Sequence, residues 1–581
     1  MSVMRIGVVT KKQKNKDGTV RKYLYLIEYI WNKEKGYSQQ KHIACLGRAD
    51  ELEKQATIDN LVESLCKYTK QKKVIDIFND IDSQSAKTYG EIQVFKKLWN
   101  DLGLKKILYK HISNLKNETD YVETVFAMVC NRLVDPCSKR ATNEWKKDVY
   151  EPDWDKIELH HFYRALDYLI EQKENVEVEL FHAVKKAFDC KVDVVMFDTT
   201  NISYWGEGNK AEELLKHGHA KNKRFDLKQV TVGLIMDQNG TPLGHEVWPG
   251  NMSDKPAFVE VIDKIKDKYE IGKVILVADR GMISQDNLNY LEEKKYEYVL
   301  GVKMRQLSQI RQQILLNDEG FLAISDSLKA KEMNEYDLWE QEMEKRNEEA
   351  KKYNAQKEPK KRKKKVVNLT EDQKQAYKNS KKGQRRWVAC LNPVMAQFDK
   401  KKREYFQQII EKKVEFSTAK EWIVKNGYKK YVTIKNMTIE LNREKLKEDE
   451  LYDGKWALIT NTGLAKTKLV DTYKDLAMIE RHFRDLKSEL EIGPVYHHTE
   501  KRIRAHIFVC FLALQLKVAL MKKLKSLTDI GFSETMRLLS QIKAVNYETK
   551  GTNITIRTNI PEQSRVVFQA IGANTPAKII S

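Results

Sequence analysis

No two of the seven cysteines, at positions 45, 66, 130, 137, 190, 390 and 510, stand at CxxC spacing. Neither a zinc ribbon nor a disulfide framework is therefore indicated. The N-terminal MSVMRIGVVTKKQ lacks an apolar core of the kind a secretory signal needs. The longest apolar run, Ile507 to Leu520, is 14 residues and contains Lys517. That is too short to span a bilayer and reads as a buried helix. No internal repeat occurs. These absences lead us to expect an intracellular, reduced protein of the cytoplasm. Acidic residues are also in deficit: 83 Asp and Glu face 104 Lys and Arg, a net charge of +21. An excess of that size points to a polyanionic partner, nucleic acid or an anionic surface. The chain has 581 residues, 41% of them hydrophobic, enough for several domains with sizeable cores.

Taken in order, residues 1–50 read as a small β element. Tyr23 to Ile27 and Lys41 to Leu46 are strand-like, and Asp17-Gly18 is a hairpin signal. Lysine and arginine are dense here (Lys11, Lys12, Lys14, Lys16, Arg21, Lys22), as a DNA-backbone contact or as a solvated rim. Residues 51–188 carry helical periodicity in VESLCKY, FKKLWNDLGL, YVETVFAMVCNRLV and FYRALDYLI, and a helical DNA-binding region is expected. Pro136 breaks the third of these, and PCSKRATNEW follows.

At residue 191 the texture changes. KVDVVMFDTT, LKQVTVGLIMD and PLGHEVW are strands, with an Asn239-Gly240 turn between the last two. A helix from Asp254 to Tyr269, capped by Ser253 or Asp254, precedes the buried strand KVILVAD; helix Gln285 to Lys295 and strand YEYVLGVK follow. The order β-β-β-α-β-α-β predicts an α/β fold with a mixed sheet covered on both faces. Residues 303–452 read as an inserted subdomain with some strand-like runs and a basic segment at Lys360 to Lys365, a linker or a surface DNA contact. DGKWALITN restores a strand, 453–530 completes the core, and 531–581 forms a C-terminal region.

Tyr473 to Lys487, YKDLAMIERHFRDLK, is expected to be one helix, with Asp471-Thr472 as its cap and Gly493-Pro494 beyond its end. Tyr473, Glu480 and Lys487 stand a heptad apart, so they share one face with a drift of ~20° per heptad. Arg484 lies one turn beyond Glu480. Alone, this is a solvated face with an ordinary Glu-Arg pair. Asp198 and Asp279, each ending an apolar strand, change that reading, although aspartate is also a normal turn-former. The ends of adjacent strands in an open sheet are where sites form. Three carboxylates without Cys or His suit Mg²⁺, and a pair of such ions both activates a nucleophile and neutralises a leaving oxygen in phosphodiester chemistry.

These stretches resemble the DDE transposases of bacterial insertion sequences, in the group with a Tyr…Arg…Glu…Lys signature and a β-rich insertion before the Glu. FDTTNISYWG, GHAKNKRFDLKQV, PLGHEVWPGNMSDKPAF, VADRGMIS and the IERHFRDLKSELEIGPVYHHTEKRIRAHIFVCFLAL segment carry the resemblance over roughly 190–525, and AQFDKKKREY and PCSKRATNEW extend it. The resemblance implies a ribonuclease-H-like core (β-β-β-α-β-α-β-insertion-α). It implies catalytic metal ligands at Asp198, Asp279 and Glu480, with two Mg²⁺ that Mn²⁺ can replace. It places Tyr473 and Lys487 against DNA phosphates. The signature Arg position holds Leu476, and Arg484 is the better substitute over Arg481. Double-stranded DNA, as element ends and target, is the implied partner, with a homodimer on DNA in the nucleoid. The implied activity is metal-dependent cleavage at terminal inverted repeats followed by joining of 3′-hydroxyl ends to target DNA. A ribonuclease-H-like nuclease without strand transfer and an inactive DNA-binding protein are the rivals. Trp387, Trp422 and Trp456 are core residues or a platform for an extruded base.

Overall fold

A computed structural model describes residues 5–16, 18–32, 37–54, 57–66, 82–112, 120–188, 192–206, 211–218, 225–269, 275–355, 365–411, 428–435, 438–549 and 552–580. The basic segment at 360–364 and Trp422 lie outside the described residues. The chain divides into two units.

The first unit comprises Met1–Ala86, Val545–Arg557 and Lys578–Ser581. Its strands β1 (Arg5–Lys14), β2 (Val20–Asn32) and β3 (Tyr37–Arg48) form an antiparallel meander. Alternating aromatic and β-branched residues such as Tyr23, Tyr25 and Ile27 favour the extended state. Short helices at Ala49–Lys54 and Thr57–Cys66 follow. Strand β4 (Asp82–Thr88) joins a second three-stranded sheet with the strands Lys543–Thr549 and Thr552–Arg557.

The second unit, Lys87–Ala544 and Thr558–Ala577, opens with packed helices. Among them Tyr121–Val134 is buried along nearly its whole length, and the Asp120 side chain caps it by accepting from the amides of Val122 (2.8 Å) and Glu123 (3.1 Å). The sheet follows: β5 (Val194–Ser203), β6 (Gln229–Asp237), β7 (Pro242–Pro249), β8 (Ile275–Ala278), β9 (Glu297–Gly301), β10 (Leu322–Ser325), β11 (Leu328–Asn334), β12 (Arg386–Leu391) and, after a β13–β14 hairpin at Val432–Lys435 and Thr438–Leu441, β15 (Lys455–Thr460). Nine of these line up as β10-β11-β12-β15-β9-β8-β5-β6-β7. Strands β5, β6 and β7 are antiparallel, whereas β8 runs parallel to β5 and β9 parallel to β8.

The β6–β7 turn is the expected one. Gly240 adopts φ +71°, and the Asp237 carboxylate accepts from the amides of Asn239 and Thr241. The insertion differs from the expectation of a separate β-rich subdomain. Its strands β10 to β12 extend the core sheet through β15, and long helices at Glu335–Ala355 and Pro393–Glu411 accompany them. Pairing β15 to β9 covers what would otherwise be an open edge of unpaired backbone groups.

One face of the sheet packs Val195 and Phe197 of β5 against Ala257, Phe258 and Val261 of the Asp254–Tyr269 helix. On the second unit's other side, Glu500–Leu524 is long and apolar enough to cross a membrane by composition, but 94% of its most apolar window is buried within the fold. Arg504 of this helix donates to the Val247 carbonyl, and Gln515 donates to that of Pro242. The 505–524 segment is therefore core. Buried Glu177 ties the Lys173–Ala187 helix to the 254–269 helix through Lys173 (2.8 Å) and Lys268 (2.6 Å).

Candidate active site

The register of the parallel pair β5 and β8 places Phe197 beside Ala278. The next residues, Asp198 and Asp279, thus emerge side by side on neighbouring strands about 4.8 Å apart. Both are half-buried. Side chains alternate across a strand, so Asp198 and Thr200 face one side of β5 while Phe197 and Thr199 face the other. The Lys487 ammonium donates to the Thr200 hydroxyl at 2.5 Å. Asp198 accordingly faces the helix Ala477–Ser488 that carries Glu480 and Lys487. That helix is held along its length: His482 pairs its Nε2 with the Gly240 carbonyl at 2.7 Å, and Ile479, Phe483 and Leu486 are buried.

The expected single helix is two. Lys466–Lys474 ends one turn before Ala477–Ser488 begins. Between them the amides of Leu476, Met478 and Ile479 donate to the carbonyls three residues back, at 2.9–3.1 Å. The chain tightens to a 3₁₀ turn there, which rotates ~120° per residue instead of ~100°. The column of Tyr473, Glu480 and Lys487 is therefore broken, and the first helix starts at Lys466, not at an Asp471-Thr472 cap.

Tyr473 still reaches the site. Its hydroxyl donates to Asp279 Oδ1 at 3.2 Å. Burial raises its pKa, and the negative charges of Asp279 and Asp198 nearby raise it further. Gly301, the last residue of β9, makes room: a Cβ there would stand 2.1 Å from the Tyr473 hydroxyl. Trp456 stacks on the Tyr473 ring with centroids 5.5 Å apart. Trp387 is buried and donates its indole N–H to Glu335 at 2.5 Å, so it is a core residue. Glu480 and Arg484 are exposed, and they form no ion pair with each other. Leu476 is buried at 7% exposure, as an apolar anchor of the tightened turn.

Two features escaped the sequence. Asp254 looked like a mere helix cap. Its carboxylate accepts from the Thr199 hydroxyl at 2.5 Å and lies so close to Gly281 that a Cβ there would meet it at 2.8 Å. It is thus bonded to the strand of Asp198 while packed close against the segment after Asp279. Arg280 follows Asp279 directly, is exposed, and its charge is felt by Tyr473. It places a cation beside the carboxylates, where Leu476 supplies none. His498 pairs with the Tyr204 hydroxyl at 3.0 Å, so one member of the His497-His498 pair is tied to the end of β5.

Asp198 does not end its strand as expected, since β5 continues to Ser203, whereas Asp279 directly follows β8. The donor set suits a divalent cation by its chemistry: carboxylates only, one midway along β5, one just past β8 and one on the facing helix. Among the described residues no three Asp, Glu, His or Cys side chains stand close enough together to hold an ion. Glu480 is on the helix that faces the two aspartates, and its side chain is exposed rather than gathered with theirs.

The mixed sheet thus sets two aspartates side by side on neighbouring strands and carries Glu480 on a helix packed over them. Comparisons with known proteins identify the family. Residues 191–516, more than half of the 581-residue chain, match the family model described as the transposase DDE domain, and the chain belongs to that family. Residues 8–75 match the model of the IS1634 family transposase N-terminal domain. The chain is thus an insertion-sequence transposase and an enzyme of the DDE class. Among solved structures, a cryo-EM structure of a piggyBac transposase synaptic complex with hairpin DNA aligns at a TM-score of 0.34 and 9% identity, covering 78% of this chain and 79% of that one. A search of curated proteins finds no match.

Proposed function

We propose that Asp198, Asp279 and Glu480 are the catalytic carboxylates of this transposase, and that they bind Mg²⁺, two ions per site, with Mn²⁺ able to substitute. The observation that carries this reading is the β5–β8 register, which sets two carboxylates side by side facing the helix of the third. The order β7-β6-β5-β8-β9, three strands antiparallel and two parallel to the central β5, supports a ribonuclease-H-like core. A bound divalent ion in such a site lowers the pKa of a nucleophilic oxygen and neutralises a leaving one. The chain's own residues do the rest. Tyr473 orients the Asp279 carboxylate through its hydroxyl. Lys487, steadied by Thr200, offers its charge to a DNA phosphate on the same face, and Arg484 one turn earlier adds a second cation. Arg280 supports the same phosphate from the strand end.

The substrate is double-stranded DNA, first the element ends and then the target, within the bacterial nucleoid. Hydrolysis frees a 3′-hydroxyl at each end, which then attacks the target. Two ends joined at one target site call for two catalytic centres, which supports a homodimer on DNA. The 1–50 element, the 51–188 helices and the 303–452 insertion frame the split catalytic core at 189–302 and 453–530, ahead of the 531–581 region. An assay mixing end-bearing duplex with a target plasmid separates this from a nuclease. Joined product supports transposition; cleavage that never yields joined product contradicts it.

A further inference from the structure

The PCSKRATNEW segment takes no part in the proposed chemistry, yet it borders a pocket of about 200 Å³ walled by Arg132, Lys139, Arg140, Glu491, His497 and His506. Lys139 is only 4% exposed, and its ammonium has no hydrogen-bond partner. Arg132, also buried, donates to neutral carbonyls of Cys137 and Glu491, and its Nε is unsatisfied. His506 bonds the Ile492 carbonyl through Nε2 and leaves Nδ1 without a partner. Glu491, the lone carboxylate among the lining residues, is exposed and pairs with none of these cations.

A buried cation without a counter-charge is strongly unfavourable, and proteins ordinarily pair it or expose it. Here burial and the neighbouring Arg132 charge lower the Lys139 pKa to about 7, and burial with the Lys139 charge lowers that of His497 to about 3. The fold thus concentrates positive charge and unsatisfied donors around a cavity and supplies no anion. Two unsatisfied donors from two separate segments border it, Arg132 on the Tyr121–Val134 helix and Lys139 at the start of the Lys139–Trp145 helix, while His506, whose Nε2 donates to the Ile492 carbonyl, leaves Nδ1 as an acceptor.

We infer that this pocket is a phosphate subsite, filled by a backbone phosphate of the bound DNA. The inference rests on the reading that the catalytic face engages DNA. The pocket's position suits it. The extended chain runs six residues from Asp198 through the end of β5 to Tyr204, about 20 Å at ~3.3 Å per residue. Tyr204 bonds His498, the neighbour of pocket-lining His497. Lys487 at Thr200 lies between. Asp198, Lys487 and the pocket therefore follow one line along β5, and a duplex lying on it passes about six nucleotides at ~3.4 Å each. Arg132 also donates to the Glu491 carbonyl just after the catalytic helix, so a phosphate here steadies the exit of that helix.

The test uses the full-length protein and two probes, a 30-base-pair duplex of arbitrary sequence and inorganic phosphate. Lys139→Met removes the charge and keeps the apolar stem; Lys139→Arg keeps a cation and serves as the folding control. Duplex affinity is titrated against salt. We expect Lys139→Met to lower the magnitude of the salt slope by about 0.9, one phosphate contact, and Lys139→Arg to preserve it. We expect the melting temperature of Lys139→Met to equal or exceed that of the wild type in phosphate-free buffer. If inorganic phosphate raises the wild-type melting temperature but not that of Lys139→Met, while duplex binding is indifferent to residue 139, the subsite stands and its ligand is free phosphate. Duplex binding and phosphate response both unchanged in Lys139→Met overturn the subsite. A wild type that binds no duplex at all fails the DNA reading separately.

Discussion

The two charged concavities of the second unit are inverses. Along β5 and just past β8, two half-buried aspartates lie side by side where solvent reaches them, with an exposed Glu480 on the facing helix and Arg280 and Lys487 nearby. Around Lys139, positive groups gather out of solvent, with no buried carboxylate among the lining residues. Each is incomplete in the opposite sense. On the proposed reading the acidic site receives cations and the basic pocket an anion. One duplex with its counter-ions supplies both. On that reading a residue's exposure matters as much as its charge: open carboxylates would exchange ions during turnover, whereas a buried cation would hold one phosphate in a fixed place.

The comparison can be broken most sharply at the acidic end. Asp198→Asn or Asp279→Asn should lower strand cleavage by ~10³-fold or more while leaving duplex binding within a few-fold of wild type, measured by gel-based cleavage and by fluorescence anisotropy. Next comes a stability control away from both concavities. Burial pushes the Glu177 pKa up, but the charges of Lys173 and Lys268 override it and hold it well below the ordinary value. Glu177→Ala strands those cations and should destabilise the unit by about 3–5 kcal/mol in chemical denaturation. Gly301→Ala should displace the Tyr473 hydroxyl, since the added Cβ would stand 2.1 Å from it. Tyr473→Phe should reproduce most of that cleavage defect, about 10-fold for one lost hydrogen bond to a charged carboxylate. A Tyr473→Phe enzyme at full rate would remove Tyr473 from the site.

The smallest effect sharpens the basic end. The folded pKa of Lys139 is depressed to about 7. Between that value and its unfolded pKa near ~10.4 the unfolded chain binds the extra proton, so stability rises with pH across the window. The wild-type melting temperature should climb from pH 7 to 9 relative to Lys139→Met. His497, depressed to about 3, acts at lower pH: its contribution is present above ~6.5 and is lost as pH falls toward 3. His497→Gln should flatten that acid limb.

The elements nearest the chemistry were legible because each is signalled locally. An apolar β-branched run ending in aspartate marks β5 and β8, and Asn239-Gly240 marks the β6–β7 turn. The split between Lys474 and Ala477 was not, since no Gly or Pro marks it and the tightening accompanies the seating of Leu476 in the core. That the insertion strands continue the main sheet was equally hidden, because pairing partners such as Arg386 and Thr460 are far apart in sequence. Asp254 carried a cap signal that masked its bond to Thr199. The basic pocket was hidden because its walls join the stretch around Arg132 to Arg140 with residues 491–506, hundreds of positions further along the chain.

The central claim is that Asp198, Asp279 and Glu480 act as one unit. The most direct measurement is the single-turnover cleavage rate of Asp198→Asn, Glu480→Gln and the double variant on end-bearing duplex with Mg²⁺. Residues that act as a unit are non-additive. The double variant should cleave no more slowly than either single one, with each single loss already near complete. Losses that multiply, or a Glu480→Gln enzyme that cleaves at the wild-type rate, would contradict the account.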